Sequence, residues 1–171
     1  MPARQPLPRL WLMTDERLGD GLLDAVARLP AGAGVVFRHY SLEEVARRSL
    51  FEQVRAAHPG LLLLAGPAEL ADRWGADGSH GPGPGAGLRT TPAHDLAEIR
   101  AAEAAGAALI FLSPVFATRS HPEARPLGAG GFARLAAQTR LPVIALGGMT
   151  PKRAETLVGA YGWAGIDAWR G

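Results

Sequence analysis

The chain has 171 residues, a length that fits a full hydrophobic core, and we expect residues 1–171 to form a single domain. Apolar residues make up 47% of the chain and charged residues 20%, which argues against a disordered protein, and the net charge of +2 with scattered arginines argues against nucleic-acid binding. Because the sequence has no cysteine, no apolar run of the ~18 residues of a membrane span and no signal-peptide core, we expect a cytoplasmic protein without disulfides or membrane contact.

Short apolar runs recur along the chain and are typical of buried parallel strands, which helices cover on both faces. Eight runs have this character, at residues 10–13, 34–38, 61–65, 75–80, 87–90, 109–113, 142–146 and 165–168. Strands that alternate with helical segments predict parallel βα units. Eight such units predict an α/β fold of the (β/α)8 TIM-barrel type, with an open doubly wound sheet as the alternative.

The connections between these runs predict helices, with two exceptions. Ser41 and Glu44 have the spacing of a capping box, which predicts a helix whose buried face holds Leu42, Val45, Ala46, Leu50 and Val54. Thr91-Pro92 and Thr150-Pro151 each predict an N-cap followed by proline at the first helical position. Residues 81–87 read Gly-Pro-Gly-Pro-Gly-Ala-Gly and cannot form a helix, and the sequence stops after the eighth run. We therefore expect a shortened barrel that lacks the helices after strands 4 and 8.

Two absent helices predict uncovered apolar surface beside the last strand. Trp163, Ile166 and Trp169 are the residues that would lie there, either as a plug for the gap or as a contact surface. Large exposed apolar patches usually mark interfaces. We therefore expect the protein to form a homo-oligomer.

The ends of two predicted strands point most directly to a ligand. The run 109–113 continues into Ser113-Pro-Val-Phe-Ala-Thr-Arg-Ser-His121, and the run 142–146 continues into Gly147-Gly148. Barrels of this class place their active sites at the carboxyl ends of the strands. Glycines allow close backbone approach, and a helix start offers free N–H groups. We expect an anion such as phosphate or sulfate against the N–H groups of Gly147 and Gly148, before the helix capped by Thr150.

Four segments of the chain, in this order, resemble motifs of the thiamine phosphate synthase family, which includes the related thiazole tautomerase. They are Leu10-Trp-Leu-Met-Thr-Asp15, Ala76-Asp-Gly-Ser-His80, Ser113-Pro-Val-Phe-Ala-Thr-Arg-Ser-His121 and Pro142-Val-Ile-Ala-Leu-Gly-Gly-Met149. They extend over nearly the whole chain. The resemblance implies a barrel of thiamine biosynthesis and a transferase that joins an aminopyrimidine diphosphate to a thiazole phosphate with the help of Mg²⁺.

The resemblance also implies that one half of the family's site is retained. Thr118 and Ser120 match hydroxyl groups on the thiazole side, and Gly147 and Gly148 match the backbone that approaches the thiazole phosphate. Arg170 is the only obvious cation near the end of the last strand. A thiazole phosphate or a related phosphate ligand is therefore the expected small-molecule partner.

The other half of the family's site is depleted in this sequence. Of the basic strand end that binds the diphosphate in the family, only Arg38 is retained. The family's Asn-Asp pair for Mg²⁺ matches Ala65-Gly66, and its further Asp falls within the 81–87 connector. Because Mg²⁺ is bound by carboxylates and substrate phosphates, we expect no metal site and no cofactor, although the family uses Mg²⁺.

His80 and His121 are the candidate catalytic residues, because an imidazole can transfer protons near neutral pH. His80 ends one predicted strand and His121 follows another, so both should lie near the carboxyl ends of the barrel strands. Three functions stay open from the sequence. The chain is a synthase with weakened diphosphate and metal contacts, a metal-free tautomerase-like enzyme acting on a thiazole phosphate, or a non-catalytic protein that binds a phosphate ligand or a partner.

Overall fold

A computed structural model describes residues 6–119 and 122–169, and the structural statements below concern these residues. Eight parallel strands close into a barrel in which each strand pairs with the next along the chain and the last pairs with the first. The predicted (β/α)8 barrel is therefore confirmed. The strands are β1 (Leu10–Met13), β2 (Gly34–Phe37), β3 (Leu62–Ala65), β4 (Gly78–His80), β5 (Leu88–Ala93), β6 (Leu109–Leu112), β7 (Val143–Leu146) and β8 (Gly162–Gly165).

Helices cover the outside of the barrel. The α-helices are α1 (Leu22–Ala27), α2 (Glu44–Ala57), α3 (Ala68–Trp74), α4 (Leu96–Ala104), α5 (Gly128–Ala136) and α6 (Pro151–Ala154), and Glu16–Gly21 and Asp167–Trp169 form 3-10 helices. Across residues 6–119 and 122–169, no helix is both long enough and apolar enough to cross a membrane.

The inside of the barrel is a packed apolar core. Alternate strand residues point inward and form one cluster, which contains Trp11, Met13, Val36, Leu63, Ala65, Leu109, Phe111, Ile144 and Ala164. The Trp11 and Phe111 rings meet edge to face with centroids 5.4 Å apart. Gly34 makes room for the indole, since a Cβ at that position would lie 2.4 Å from the Trp11 ring. Because side chains fill the interior, space for a ligand lies above this core, at the end of the barrel.

The start and the buried face of α2 differ from the prediction. The Ser41 hydroxyl donates to Glu16 Oε1 at 2.9 Å, so it does not cap the helix, which begins at Glu44. Val45 is 84% exposed. The buried positions of the helix are Arg47, Phe51 and Val54. Val54 is buried as predicted, and Leu50 packs against the same apolar cluster. Val45 is exposed because Phe51 packs inward in its place, against Phe37 with ring centroids 5.7 Å apart, and so sets the rotation of the helix.

The helix predicted to begin after Thr91 begins later. Thr91 and Pro92 belong to β5 and pair with Ile110 and Phe111 of β6. Pairing with β6 therefore extends the sheet past the predicted N-cap. The N-cap of α4 is Asp95, whose Oδ1 accepts the Glu98 N–H at 2.9 Å. The second predicted N-cap is confirmed, because the Thr150 hydroxyl accepts the Arg153 N–H at 3.2 Å.

The eighth strand lies three residues before its predicted position. β8 covers Gly162–Gly165, where Trp163 pairs with Leu10 of β1. The prediction of residues 165–168 is wrong because the actual register buries Trp163, which is 8% exposed, in an apolar cluster that also contains Ile110, Phe132 and Val143. Asp167 and Ala168 are left on the surface in the 3-10 helix that follows.

Both connections predicted to lack an α-helix lack one within the described residues. Residues 81–87 link β4 to β5 without a helix, and β8 is followed by the 3-10 helix Asp167–Trp169. The Trp169 ring stacks on Trp163 with centroids 5.5 Å apart, and its Nε1 donates to the Trp11 carbonyl at 3.3 Å. Of the two predicted roles, a plug or a contact surface, the plug is confirmed for Trp163, which is buried under Trp169, and the exposure of Trp163 is wrong. The homo-oligomer stays a prediction.

Candidate functional site

A cavity of about 580 Å³ lies at the carboxyl ends of the strands. The chain enters its wall just after β2, β5, β6, β7 and β8. Predicted substrate-binding residues in this wall are Arg38, Thr118, Gly147 and Gly148. Ser120, Arg170 and the candidate catalytic residue His121 lie outside the described residues. One cavity therefore brings together all the predicted substrate-binding residues that the structure describes.

Gly147 and Gly148 follow β7 and have positive φ angles of 102° and 59°, which glycine adopts without strain. They also pass close to the loop after β6: a Cβ on Gly148 would lie 2.5 Å from the Ala117 carbonyl oxygen. The carbonyls of both glycines are used within the fold, by the Phe116 N–H at 3.1 Å and by the Arg153 guanidinium. Among the described residues, no acceptor is bonded to the Gly148 N–H. This amide is available to an anion in the cavity.

Arg38 follows β2 and is held by two neighbours from the loop after β1. Its Nε donates to the Thr14 carbonyl at 2.7 Å, and its Nη2 donates to Asp15 Oδ2 at 2.9 Å. Burial lowers the pKa of the Arg38 guanidinium, and the charge of Asp15 opposes this effect. The side chain is therefore fixed in the cavity wall with its charge already matched by a carboxylate.

Asp15 joins Arg38 to a longer chain of charges. Arg17 Nε donates to Asp15 Oδ1 at 2.8 Å, and Arg17 Nη1 lies 3.9 Å from Asp167 Oδ2. Desolvation of Asp15 would raise its pKa, but the hydrogen bonds and charge of Arg17, with the charge of Arg38, outweigh it and lower the pKa. Positive and negative side chains thus alternate in a row from the end of β2 to the residues after β8, in the order Arg38, Asp15, Arg17 and Asp167.

His80 occupies a different environment from the one predicted for a catalytic residue. It is buried, its ring meets Phe111 edge to face, and its Nδ1 lies 3.0 Å from the Thr90 hydroxyl. Because that hydroxyl donates to the Ser79 carbonyl, Nδ1–H of His80 is the donor to Thr90. Burial, with the charge of Arg38, lowers the pKa of His80 to about 4. His80 lines a second cavity, of about 560 Å³, beside the 81–87 connector, and its catalytic role stays a prediction.

Three residues in the wall of the first cavity were not assigned to the site from the sequence. His94 follows β5, and its Nδ1 donates to the Ser113 carbonyl at 2.7 Å. Arg17 lies in the 3-10 helix after β1, and Asp167 follows β8. His94 and Asp167 come just after β5 and β8, and active sites in these barrels lie at the carboxyl ends of the strands. Correct bounds for these two strands would therefore have pointed to both residues.

The strand ends that carry the family's Mg²⁺ ligands do not fit a metal in this chain. Ala65 is fully buried at the end of β3, and its carbonyl accepts from Arg47 Nη2 at 2.8 Å. Gly66 and the Gly/Pro connector 81–87 offer no carboxylate. Within residues 6–119 and 122–169, no three His, Cys, Asp or Glu side chains are placed to share a metal ion.

The fold and the cavity define a (β/α)8-barrel protein with space for a small ligand at the carboxyl ends of its strands. The sequence identifies the family within this class of barrels, because residues 90–169 match the sequence profile of the thiamine monophosphate synthase family. A protein of Aquifex aeolicus, provisionally named thiamine-phosphate synthase 2, is 35% identical over 94% of this chain and 97% of its own length. The chain belongs to the thiamine monophosphate synthase family, and hence to the proteins of thiamine biosynthesis.

Other relatives agree with this assignment. The thiamine-phosphate synthase of Laribacter hongkongensis is 31% identical, over 86% of this chain and 76% of its own length. Among solved structures, the thiamine phosphate pyrophosphorylase of Pyrococcus furiosus superposes with a TM-score of 0.79, over 95% of this chain and 86% of that one. Its sequence identity is 21%, so this likeness bears on the fold alone.

Proposed function

We propose that the chain binds a thiazole phosphate in the cavity at the carboxyl ends of its strands, with the phosphate against the backbone of Gly147 and Gly148. The observation that carries the proposal is the meeting of Arg38, Thr118, Gly147 and Gly148 in one cavity of ligand size. The loops after strands 7 and 8 are a frequent phosphate site in barrels of this class.

The chemistry of the glycine pair supports an anion at this position. The Gly148 N–H has no bonded acceptor among the described residues, and Thr118 adds a hydroxyl from the loop after β6. The helix α6 that follows has only four residues, so its dipole adds little to the attraction. Individual backbone N–H and hydroxyl groups would therefore hold the phosphate.

The diphosphate half of the site is impaired in this proposal. Arg38 is the retained cation, and Asp15 already neutralises it at 2.9 Å. No carboxylate of this chain stands at the end of β3 or in the 81–87 connector to hold Mg²⁺. The chain would therefore bind an aminopyrimidine diphosphate weakly, and any transferase activity of the synthase type would be low.

Calorimetric titration tests both halves of the proposal. We expect a thiazole phosphate to bind with the same affinity in Mg²⁺ and in a chelator, and an aminopyrimidine diphosphate to bind weakly in both. Tight, Mg²⁺-dependent binding of the diphosphate would show that the second half of the site is intact. A direct assay for the transferase product, with the protein in excess, measures the remaining activity.

A charge placed in the cavity tests the location of the phosphate. Thr118→Asp adds a carboxylate to the cavity wall, and we expect at least a tenfold loss of affinity for the thiazole phosphate, about 1.4 kcal/mol. The matched control is Thr156→Asp, since Thr156 is exposed after α6 and does not line the cavity. Gly148→Asp is a poorer test, because its Cβ would collide with the Ala117 carbonyl and displace the loop.

A second candidate function, metal-free tautomerisation of the thiazole phosphate, is favoured by His94. With Nδ1–H donating to the Ser113 carbonyl, Nε2 is the nitrogen left for proton transfer at the cavity. The test is exchange of solvent deuterium into the thiazole phosphate, followed by NMR. Exchange that His94→Asn abolishes would favour the tautomerase, and binding without exchange or product would favour a non-catalytic phosphate-binding protein.

A further inference from the structure

A groove runs along the outside of the barrel where the helix after β4 would lie. In a (β/α)8 barrel a helix follows each strand and covers the outer face, but residues 81–87 join β4 to β5 without one. This connector packs against α3: a Cβ on Gly85 would lie 2.6 Å from the Ala68 Cβ, and the next residue donates its N–H to the Asp72 carboxylate. The space beside α4 is left open and forms the second cavity, of about 560 Å³, whose described lining includes α4 but not α3.

The wall that α4 gives to this groove is small and apolar. Ala101 and Ala105 are exposed and lie one helical turn apart, and Ala102 beside them is buried. Small side chains let a second helix approach closely, to about 8 Å between the two axes. Leu96, at the start of the same helix, is 39% exposed. The groove therefore fits another helix about as long as α4.

One charged side chain lies towards each end of the groove. Glu98 is in the first turn of α4, and Arg89 Nη2 donates to the Gly106 carbonyl, just past the end of the helix, at 3.0 Å. At 1.5 Å per residue, Glu98 and Gly106 are about 12 Å apart along the helix. Glu98 and Arg89 both line the groove, and neither forms an ion pair with another described side chain. The groove thus has a carboxylate at one end and a guanidinium at the other.

We propose that this groove is the interface of a symmetric dimer, in which α4 of each copy packs antiparallel to α4 of the other and covers the groove of its partner. A two-fold axis that passes near Ala101 places Glu98 of each copy against Arg89 of the other. The occupant is a second copy because the two ends carry opposite charges, so the same groove in the reverse direction is its complement. Burial of apolar surface stabilises the dimer, and the ion pairs fix its direction. The interface lies across the barrel from Trp163 and does not depend on the ligand.

Sedimentation of the full chain, at concentrations from about 1 μM to 100 μM, tests the proposal through a charge exchange. For the unmodified protein we expect a dimer that dissociates on dilution. In Arg89→Glu, and separately in Glu98→Arg, like charges meet at both ends of the interface, so we expect each variant alone to dimerise at least about tenfold more weakly. An equimolar mixture of the two variants restores two opposite-charge pairs, and we expect it to form a heterodimer. Arg140→Glu is the matched control, because Arg140 is exposed and does not line the groove.

Each other outcome overturns the proposal. An unmodified chain that is monomeric over the whole range has no such dimer, and a dimer that neither variant weakens uses another surface. Folded variants that do not associate when mixed show that Glu98 and Arg89 do not face each other.

If the charge variants do not fold, a cysteine at the two-fold axis decides. The chain has no cysteine, so Ala101→Cys introduces a single thiol, and we expect mild oxidation to link two copies through it. Ala56→Cys, on the exposed side of α2, is the matched control. An Ala101→Cys chain that is linked no faster than this control overturns the proposal.

Discussion

The protein should lose stability at acidic pH because His80 is buried and neutral, and replacement of His80 should remove this loss. The buried ring donates through Nδ1 to Thr90 and is neutral in the folded protein, where burial lowers its pKa from 6.5 to about 4. In the unfolded chain the imidazole takes up its proton near pH 6.5. The stability that the neutral ring provides is therefore complete above pH 6.5 and is lost as the pH falls towards 4. At pH 5 the loss relative to pH 8 is about 2 kcal/mol.

The measurement is urea unfolding of the wild-type chain and of His80→Asn at several pH values from 5 to 8. Asparagine keeps a donor near the position of Nδ1 and does not titrate. We expect the free energy of unfolding to fall between pH 8 and pH 5 by about 2 kcal/mol less in the variant than in the wild type. His39 and His58 also have pKa values lowered by burial, but they act equally in both proteins. Equal slopes for the two proteins would refute a neutral, buried His80.

Three further predictions concern the barrel and its ligands. Gly34→Ala should destabilise the barrel by about 1–3 kcal/mol in urea unfolding, because the new Cβ meets the Trp11 ring, and an unchanged midpoint would contradict this packing. Asp95→Ala should cost about 1 kcal/mol by the same assay, because α4 loses the cap on the Glu98 N–H, and Asp95→Asn should restore most of it. Addition of Mg²⁺ should leave the melting temperature unchanged, and a rise that a chelator reverses would reveal a metal site.

The fold was predictable wherever a strand is an uninterrupted apolar run. β1, β2, β3, β6 and β7 lie within one residue of their predicted bounds, since each is a run of apolar residues that is buried almost throughout. β8 was misplaced because Gly162–Gly165 contains two glycines and only Trp163 as a large apolar residue. The start of α4 was misplaced because Thr91-Pro92 is a good helix start by local criteria, and only pairing with β6, a tertiary contact, assigns it to the sheet.

The part of the candidate site that is formed by the backbone was predictable from the sequence. The part that is formed by ion pairs was not. Gly147-Gly148 is visible in the sequence because a glycine pair after an apolar run indicates close backbone approach. The alternation of Arg38, Asp15, Arg17 and Asp167 is not visible, because it joins residues from both ends of the chain that only barrel closure brings together. The ion pairs of this wall therefore become visible only in the structure.

Closure of the barrel by β1 and β8 has a consequence for synthesis of the protein on the ribosome. Leu10 pairs with Trp163, and the Trp11 carbonyl accepts from the Trp169 indole, so the first strand obtains its second neighbour only when the last strand has emerged. Until then one edge of β1 presents unpaired N–H and C=O groups, which can recruit strands of other nascent chains. The time between translation of the two strands is therefore the interval in which aggregation competes with folding, and slow translation or a raised temperature should reduce the yield of folded protein.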